Sequence, residues 1–394
     1  MYNSSKIIAL SIIIFLVGCG TNRKKVYDSF ELNDNIKITE KSWDTSPKAG
    51  GPGFEKIASK LGWETNENFI SYADPKAIKG DTITIVGGDV FPPTFRGFGV
   101  ETRTQLNGLL ESLVYEPLIG FSSETFEYQP SLATHWKIGS DSLTYFFRID
   151  PRARWANGKE VTAQDVVETF RLIMDEGHKD PNVYTFWQER INLPVQESKY
   201  IVRIDAKKKE WRLLLNIGGT YIYPAYHIEK IDGISFIEKY QFEMMPGTGP
   251  YELDHALTTQ GNNGIIALKR RTNYWAIDFE QNQGYNNFDC IKFIFINDET
   301  QMVERFFAGD YDIYAVGRAQ WWKEKFTAEQ YSEIADGYIQ RKKFINYNPK
   351  GVSGIAFNTL EPPFNDIKVR EAFTYLWDVD KLIDKLFFNE YVRT

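Results

Sequence analysis

The 394-residue sequence is poor in the residue types from which most catalytic and metal sites are built. It has two cysteines and four histidines, and no two histidines are spaced as a metal-binding pair. It has no phosphate loop of the GxxxxGK type. The nearest approach to a GxSxG nucleophile motif is GVSGI at 351–355, which ends in isoleucine. These absences argue against an enzyme, and we expect no catalytic residue, metal site or cofactor.

The sequence also lacks a basic surplus. Its 46 lysines and arginines are outnumbered by 53 aspartates and glutamates, which gives a formal net charge of −7 at pH 7. Proteins that bind nucleic acids normally present an excess of positive charge to the phosphate backbone. The charge balance therefore argues against a nucleic-acid partner.

The apolar stretch at the N-terminus is too short to span a bilayer. It extends from Ile7 to Val17, follows Lys6, and is succeeded by Gly18 and Cys19. Such a stretch suits the hydrophobic region of a secretory signal. The ending Leu-Val-Gly-Cys resembles the lipobox of bacterial lipoproteins. We therefore expect cleavage after residue 18 and acylation of the Cys19 thiol. The alternatives are a plain signal peptide and a buried N-terminal strand.

Regular structure is expected to begin only near residue 81. Residues 19–79 are polar and patchy, and predict a tether with one short helix near 54–61. TITIV at 82–86 predicts a strand, and the proline- and glycine-rich sequence VFPPTFRGFG at 90–99 predicts a loop of special shape. A helix is expected at about 101–115.

The middle of the chain predicts antiparallel strands and one well-specified helix. LTYFFRI at 143–149 alternates in the manner of a half-buried strand, and KYIVRID at 199–205 predicts another. Thr162 and Asp165 form a capping-box pattern, which predicts that a helix begins there.

Farther along, the pattern changes to that of a parallel sheet. The apolar run CIKFIFI begins at Cys290, whose thiol we expect to be buried and unreactive. A helix capped by Asp298 and a strand at 312–316 follow, which together predict a strand–helix–strand crossover. Near the end, two helices are expected, one capped by Asn365 or Asp366 and the other by Asp380.

Seven short motifs resemble, in the same order, those of the extracellular solute-binding proteins of peptide-type ABC importers. They are YEPLIGF at 115–121, PSLATHWKIGSDSLTYFFRI at 130–149, WANGKEVTAQDVVETF at 155–170, GTGPYEL at 247–253, RRTNYW at 270–275, AGDYDIYAV at 308–316 and FNTLEPPFNDIKVREAFTYLWDVDKLI at 357–383. The resemblance implies an α/β fold of two lobes that close as a clamp, with an extra β-rich subdomain. It also implies a monomer outside the cytoplasm, periplasmic or at the cell surface. Such a protein captures peptides and delivers them to a membrane permease and its ATPase.

The resemblance also implies how the chain is divided. The signal peptide would be 1–18 and the tether 19–79, with the membrane contacted through the lipid on Cys19. The first lobe would comprise 80–115 and 240–355, and the β-rich subdomain 116–239. Residues 356–394 would begin a second lobe that is largely missing. We therefore expect a fragment of a longer protein whose last two helices pack against an absent lobe.

In this family, the segment just before the first long helix pairs with the peptide backbone as an extra strand. By the resemblance, that segment is Phe95, Arg96, Gly97, Phe98 and Gly99. The glycines would permit close backbone approach and the two phenylalanines could stack on ligand side chains. The FPPTFRGFG sequence departs from the commoner family pattern, which leaves the register open. The alternative is a surface loop closed by its own aromatics.

Two further pairs of residues enter the candidate site by resemblance. Tyr184 and Trp187 fall where the family offers aromatic side chains to the cleft, and Phe357 and Asn358 fall at the crossover between lobes. The alternative for the aromatics is a place in the core. Two other functions stay open for the same fold, namely a binder of a non-peptide solute and a sensor or scaffold lipoprotein.

Overall fold

The computed structural model describes residues 43–391, except 69–70, 72, 103–104, 123–124, 262 and 345–353. Its strands are β1 (Thr82–Gly88), β2 (Ile119–Phe121), β3 (Tyr128–Pro130), β4 (Ala133–Ile138), β5 (Thr144–Ile149), β6 (Val195–Gln196), β7 (Ile201–Asp205), β8 (Tyr251–Leu253), β9 (Ile266–Arg270) and β10 (Cys290–Phe295). Its α-helices are α1 (Glu55–Ala58), α2 (Gln105–Val114), α3 (Ala163–Ile173), α4 (Pro181–Gln188), α5 (Leu213–Gly218), α6 (Ala225–Ile228), α7 (Gly233–Lys239), α8 (Glu299–Phe307), α9 (Ser332–Ala335), α10 (Ile367–Leu376) and α11 (Val379–Lys385).

The first sheet joins segments that are far apart in the sequence. Its order is β1-β10-β9-β8, with β1 parallel to β10 and the other pairs antiparallel. On the free side of β1, Ile85 forms one parallel bridge with Ile313. The crossover predicted after β10 is therefore present, but the strand predicted at 312–316 is reduced to that single bridge.

The second sheet is the antiparallel one predicted from 143–149 and 199–205. Its order is β4-β5-β7-β6. Tyr145, Phe147 and Ile149 of β5 are all buried in the main core, as the alternation predicts. Helix α3 packs on β6 and β7 of this sheet.

The other side of the second sheet is covered by residues 47–66. Phe54 is fully buried there and meets Trp63 edge-on, with 5.2 Å between the ring centroids. Arg148 of β5, also buried, donates from Nε to the Gly50 carbonyl oxygen at 2.8 Å. The prediction of a tether is therefore wrong for this part of 19–79, although its short helix is confirmed. The contacts that attach it to the sheet, such as the one from Arg148 to Gly50, are long-range, so local polarity did not reveal them.

Replacing Phe54 tests whether this cover stabilises the fold. Phe54→Ala should cost about 3 kcal/mol, since it removes a fully buried ring. Because 47–66 can detach while the sheets stay folded, the loss should appear first as faster trypsin cleavage at Lys56 and Lys60. Leu61→Ala, at a largely exposed position, is the control and should change the rate little. Equal cleavage rates in wild type and Phe54→Ala would restore the tether interpretation.

The helix caps are found at the predicted residues except in α11. Asp165 accepts a hydrogen bond from the Thr162 backbone N–H at 2.7 Å, which confirms the capping box of α3. Asp366 caps α10 as predicted. Helix α11 is capped by Asp378, two residues before the predicted Asp380.

Helices α10 and α11 form as expected, and their apolar residues are exposed or half-buried. Among the described residues from 354 to 391 none is buried, and Leu376 is 80% exposed. Across the described part of the chain, no helix has the length and apolar character needed to cross a membrane.

Candidate functional site

The candidate site lies at the edge of the first sheet where its parallel segments end. The ends of β1 and β10 meet there, with the Ile296 N–H donating to the Gly88 carbonyl at 3.2 Å. The segment at Ile313 runs parallel to β1, so the residues that follow Ile313 lie at the same edge. Open α/β sheets bind ligands beyond the carboxyl ends of their strands. The loop after β1 is therefore placed where the sequence predicted it.

Phe95 and Phe98 anchor this loop to the core. Phe95 is 1% exposed, and its ring lies 5.4 Å from that of Phe242. Phe98 is also buried and stacks on Phe236, with 4.7 Å between ring centroids. The proposed stacking role of both residues is therefore wrong, because burying these rings is what fixes the loop to the core.

Arg96 holds the loop in shape. Its buried guanidinium donates to the carbonyl oxygens of Ile237 and Val100, the latter at 2.7 Å. Asn107 of α2 donates from Nδ2 to the carbonyl oxygens of Thr94 and Arg96, at 2.8 and 2.9 Å. Arg96 is thus a positioning residue in this structure, with both terminal nitrogens of its guanidinium bonded to backbone oxygens.

Gly97 passes directly over a carboxyl group. A Cβ atom at Gly97 would lie 2.0 Å from Oε1 of Glu111, so a larger residue would have to displace the end of that side chain. The Tyr223 hydroxyl donates to the same Glu111 oxygen. Gly99 has a φ of +95°, a conformation that favours glycine. The path of the loop therefore favours glycine at residue 99, and at residue 97 the present position of Glu111 does.

Glu111 belongs to a polar stripe that the sequence interpretation missed. Asn107 and Glu111 are four residues apart on one face of α2, and Tyr115, four residues after Glu111, directly follows the helix. Asn107 and Glu111 meet the loop, and the Tyr115 hydroxyl donates to the Met245 carbonyl at 3.0 Å. The four-residue spacing of these polar residues could have indicated the stripe, but this pattern is weaker than the leucine pattern of the same helix.

The environment of Glu111 shifts its titration toward neutral pH. Burial raises the pKa of its carboxyl from 4.5 to about 7, against the opposing effect of the hydrogen bond from Tyr223. The folded protein therefore binds a proton that the unfolded chain releases between those two values. The carboxyl group under the loop changes charge near neutral pH.

Glu111→Gln should remove a pH dependence of stability. As the pH rises from 4.5 to about 7, the unfolded chain ionises first, so the wild type loses stability across this interval. Relative to the variant, the loss should reach about 2–3 kcal/mol by pH 8. Urea unfolding at a series of pH values measures it. Glu238→Gln, on the exposed part of α7, should leave the curve unchanged. Parallel curves for wild type and Glu111→Gln would contradict the assignment.

The two aromatic residues of α4 have different environments. Tyr184 is half-buried, 5.6 Å from the ring of His178, whose carbonyl oxygen accepts the Val100 N–H at 2.9 Å. The structure thus brings Tyr184 close to the loop. Trp187 is 8% exposed and meets Phe170 edge-on, so its predicted role as a ligand contact is wrong.

Phe357 and Asn358 are not brought to the loop by any described contact. The Phe357 ring lies 4.9 Å from Phe364 and 5.3 Å from Phe373. Asn358 Oδ1 accepts the Leu360 N–H at 3.1 Å. Among the described residues, both therefore make contacts only within their own segment.

An open groove of about 670 Å³ follows the Ile313 bridge, and the sequence interpretation did not predict it. Its volume is within the range of small-ligand sites. Two adjacent tryptophans after the last parallel segment were the available signal. The apolar lining residues include Phe306, Phe307, Ile313, Tyr314, Val316, Trp322, Phe326, Ile334, Ile339, Phe344 and Tyr391.

Cationic groups line the rim of this groove. The Arg341 guanidinium lies 4.3 Å from the Trp322 ring centroid and donates to the Trp322 carbonyl. Glu390 is paired with Lys323 at 2.8 Å and with Lys343. The lining of the groove has four cations, Arg318, Arg341, Lys342 and Lys343, against the carboxylates of Asp312 and Glu390. An aromatic floor with this surplus of cations suits a ligand with apolar side chains and a carboxylate.

The described residues show no group of histidine, cysteine and carboxylate side chains placed to hold a metal ion. Cys290 is buried, as predicted, and burial raises the pKa of its thiol. This thiol therefore has the environment of an unreactive core cysteine.

Comparison with known families identifies the chain. The model of the bacterial extracellular solute-binding proteins, family 5, middle region, matches residues 127–394. The chain belongs to this family. The resemblance found from its motifs is confirmed, and the family is one of solute binders.

Curated relatives are similar over most of this chain. The uncharacterized protein YejA of Escherichia coli K12 is 28% identical over 331 residues, 84% of this chain and 52% of the relative. The peptidoglycan-binding protein YepA of Agrobacterium fabrum is 28% identical over 335 residues, 82% of this chain and 52% of the relative. The chain spans about half the length of the curated relatives it matches.

Solved structures share the fold at low sequence identity. Oligopeptide-binding protein AppA of Bacillus subtilis, in complex with a nonapeptide, matches with a TM-score of 0.56 and 20% identity, covering 79% of this chain and 56% of AppA. NikA of Brucella suis, in complex with Fe(III)-EDTA, matches with a TM-score of 0.56 and 18% identity, covering 80% and 57%. OppA of Haemophilus influenzae, in complex with RPPGFSPFR, matches with a TM-score of 0.53 and 19% identity, covering 79% and 59%. The predicted fold, part of the two-lobed α/β clamp, is confirmed.

Proposed function

We propose that this chain is the solute-capturing part of an ABC importer that takes up peptides or ligands containing a peptide. It would hold the ligand outside the cytoplasmic membrane and pass it to a permease coupled to an ATPase. The observation that carries the proposal is the match of the family model to 127–394. The protein would act as a binder and not as an enzyme.

The choice of a peptide ligand rests on two features of the site. Gly97 is half-buried and carries no side chain, so a ligand backbone could approach the loop there, whereas Gly99 is buried. Arg96 and the buried phenylalanines hold the loop to the core. The groove beyond Ile313 offers an apolar floor and a cationic rim. The names of two relatives, the oligopeptide-binding AppA and the peptidoglycan-binding YepA, point in the same direction.

The mechanism follows from the clamp fold. A ligand that touches both lobes favours the closed state by its difference in affinity between closed and open forms. Pairing through the peptide backbone tolerates many side chains. The alternatives are a clamp for a non-peptide solute, as the NikA complex with Fe(III)-EDTA illustrates, and a sensor or scaffold lipoprotein.

Calorimetry with the full-length gene product tests the proposal. A mixture of short peptides should bind, and Fe(III)-EDTA should not. Gly97→Ala should weaken peptide binding by about tenfold, or 1.4 kcal/mol, since the new methyl group must displace Glu111 or the loop. No peptide binding together with clear binding of another solute would refute the proposal.

The double variant Gly97→Ala with Glu111→Ala separates two causes of that loss. Shortening Glu111 removes all three atoms that a Cβ at residue 97 would meet. If the methyl group itself blocks the ligand backbone, affinity stays low in the double variant. Recovery of affinity would mean that the loop acts through its support and does not touch the ligand.

The lipid anchor is proposed at Cys19, which lies outside the described residues. Cys19→Ala should release the protein from membranes into the soluble fraction, because the acyl chain is attached through that thiol. Fractionation of cells followed by immunoblotting measures the shift. A variant processed and membrane-bound to the same degree as wild type would refute the lipobox interpretation.

A further inference from the structure

Trp211 is exposed in a part of the chain that is otherwise well packed. It lies between β7 and α5, and 83% of its surface is open, whereas Leu213 and Ile217 just after it are in the core. The Arg212 guanidinium lies 4.4 Å from the centroid of its ring. Tryptophan is enriched at protein interfaces and at membrane surfaces, where one end of the side chain is apolar and the other is wet.

The surroundings of Trp211 are basic. We define the Trp211 patch as residues 188–190 and 207–212, which the backbone hydrogen bond from Lys207 N–H to Arg190 O joins at 2.7 Å. Glu210 is shared between Arg190 at 3.1 Å and Lys208 at 3.0 Å. The patch carries five cations against two carboxylates, in a chain that is acidic as a whole. The cations are Arg190, Lys207, Lys208, Lys209 and Arg212.

We propose that the Trp211 patch binds the surface of a membrane that contains anionic lipids. Indole rings favour the boundary between lipid headgroups and acyl chains, and lysines and arginines are attracted to anionic headgroups. The lysine content favours lipid over a protein partner, because lysine is depleted in protein–protein interfaces. The patch shares no residue with the loop or the groove of the candidate site, so this contact goes beyond the proposed capture of ligand. It would orient the protein at the membrane.

Vesicle sedimentation tests the proposal with the chain starting at residue 20, which keeps every described residue and lacks the apolar stretch. It should bind vesicles of phosphatidylcholine mixed with phosphatidylglycerol, bind pure phosphatidylcholine weakly, and lose binding as salt is added. Lys209→Glu and Trp211→Ser should each lower the partition coefficient by about fivefold or more. The matched controls, Lys230→Glu and Tyr338→Ser, alter equally exposed residues elsewhere and should lower it much less.

Several outcomes would overturn the membrane contact. One is equal binding by the patch variants and their parent, and another is an equal loss in the controls. Patch variants that keep vesicle binding but reduce ligand uptake in cells would assign the patch to a protein partner instead. Circular dichroism confirms folding. Ligand affinity measured by calorimetry should be unchanged in Trp211→Ser, so failure here is distinguishable from failure of the proposed function.

Discussion

The parallel pairing of β1 with β10 is the constraint on which the rest of the structure depends. It places Thr82 opposite Cys290, which brings two distant parts of the chain side by side. Because both strands point the same way, their carboxyl ends and the loop after β1 meet at one edge. Antiparallel pairing would have sent these ends to opposite edges. The candidate site exists because this pair is parallel.

Local elements could be predicted because their signals are local. The capping box at Thr162 and Asp165 and the alternation of β5 depend on neighbours within a few residues, and both are confirmed. The cover formed by 47–66 could not be predicted in this way. Its stability comes from Phe54 and from partners such as Arg148, about ninety residues away, and polar composition carries no information about them.

In the candidate site, too, local features could be predicted and long-range packing could not. A loop with Gly97 and Gly99 follows β1 as predicted, because turn residues after a strand are a local signal. The predicted role of its two phenylalanines, stacking on a ligand, was wrong because both rings are buried in the core. Phe95 and Phe98 have the same composition signal whether they face a ligand or the core, and only the packing against Phe236 and Phe242 decides.

We call residues 116–246 the second-sheet region, because they include the whole second sheet. Close backbone contacts and buried polar groups join this region to the first sheet. The Gly249 N–H donates to the Val114 carbonyl at 2.9 Å, and a Cβ at Gly247 would lie 1.8 Å from that oxygen. The Glu116 carboxyl accepts hydrogen bonds from the Tyr274 hydroxyl and from the Trp275 indole N–H, the latter at 2.7 Å. Burial raises the pKa of this carboxyl, and these hydrogen bonds oppose that effect.

This junction bears on how a clamp of this kind can move. The chain enters the second-sheet region near Glu116 and leaves it near Gly247, and both points are held by the contacts to Val114 and Tyr274. Hinge motion needs a few residues that can change φ and ψ freely, and a buried hydrogen-bonded junction opposes such a change. The two sheets should therefore move as one unit. In the proposed function, closure on a ligand must then come from segments outside this junction, and the rigid loop at Gly97 serves as a fixed surface against which the ligand is held.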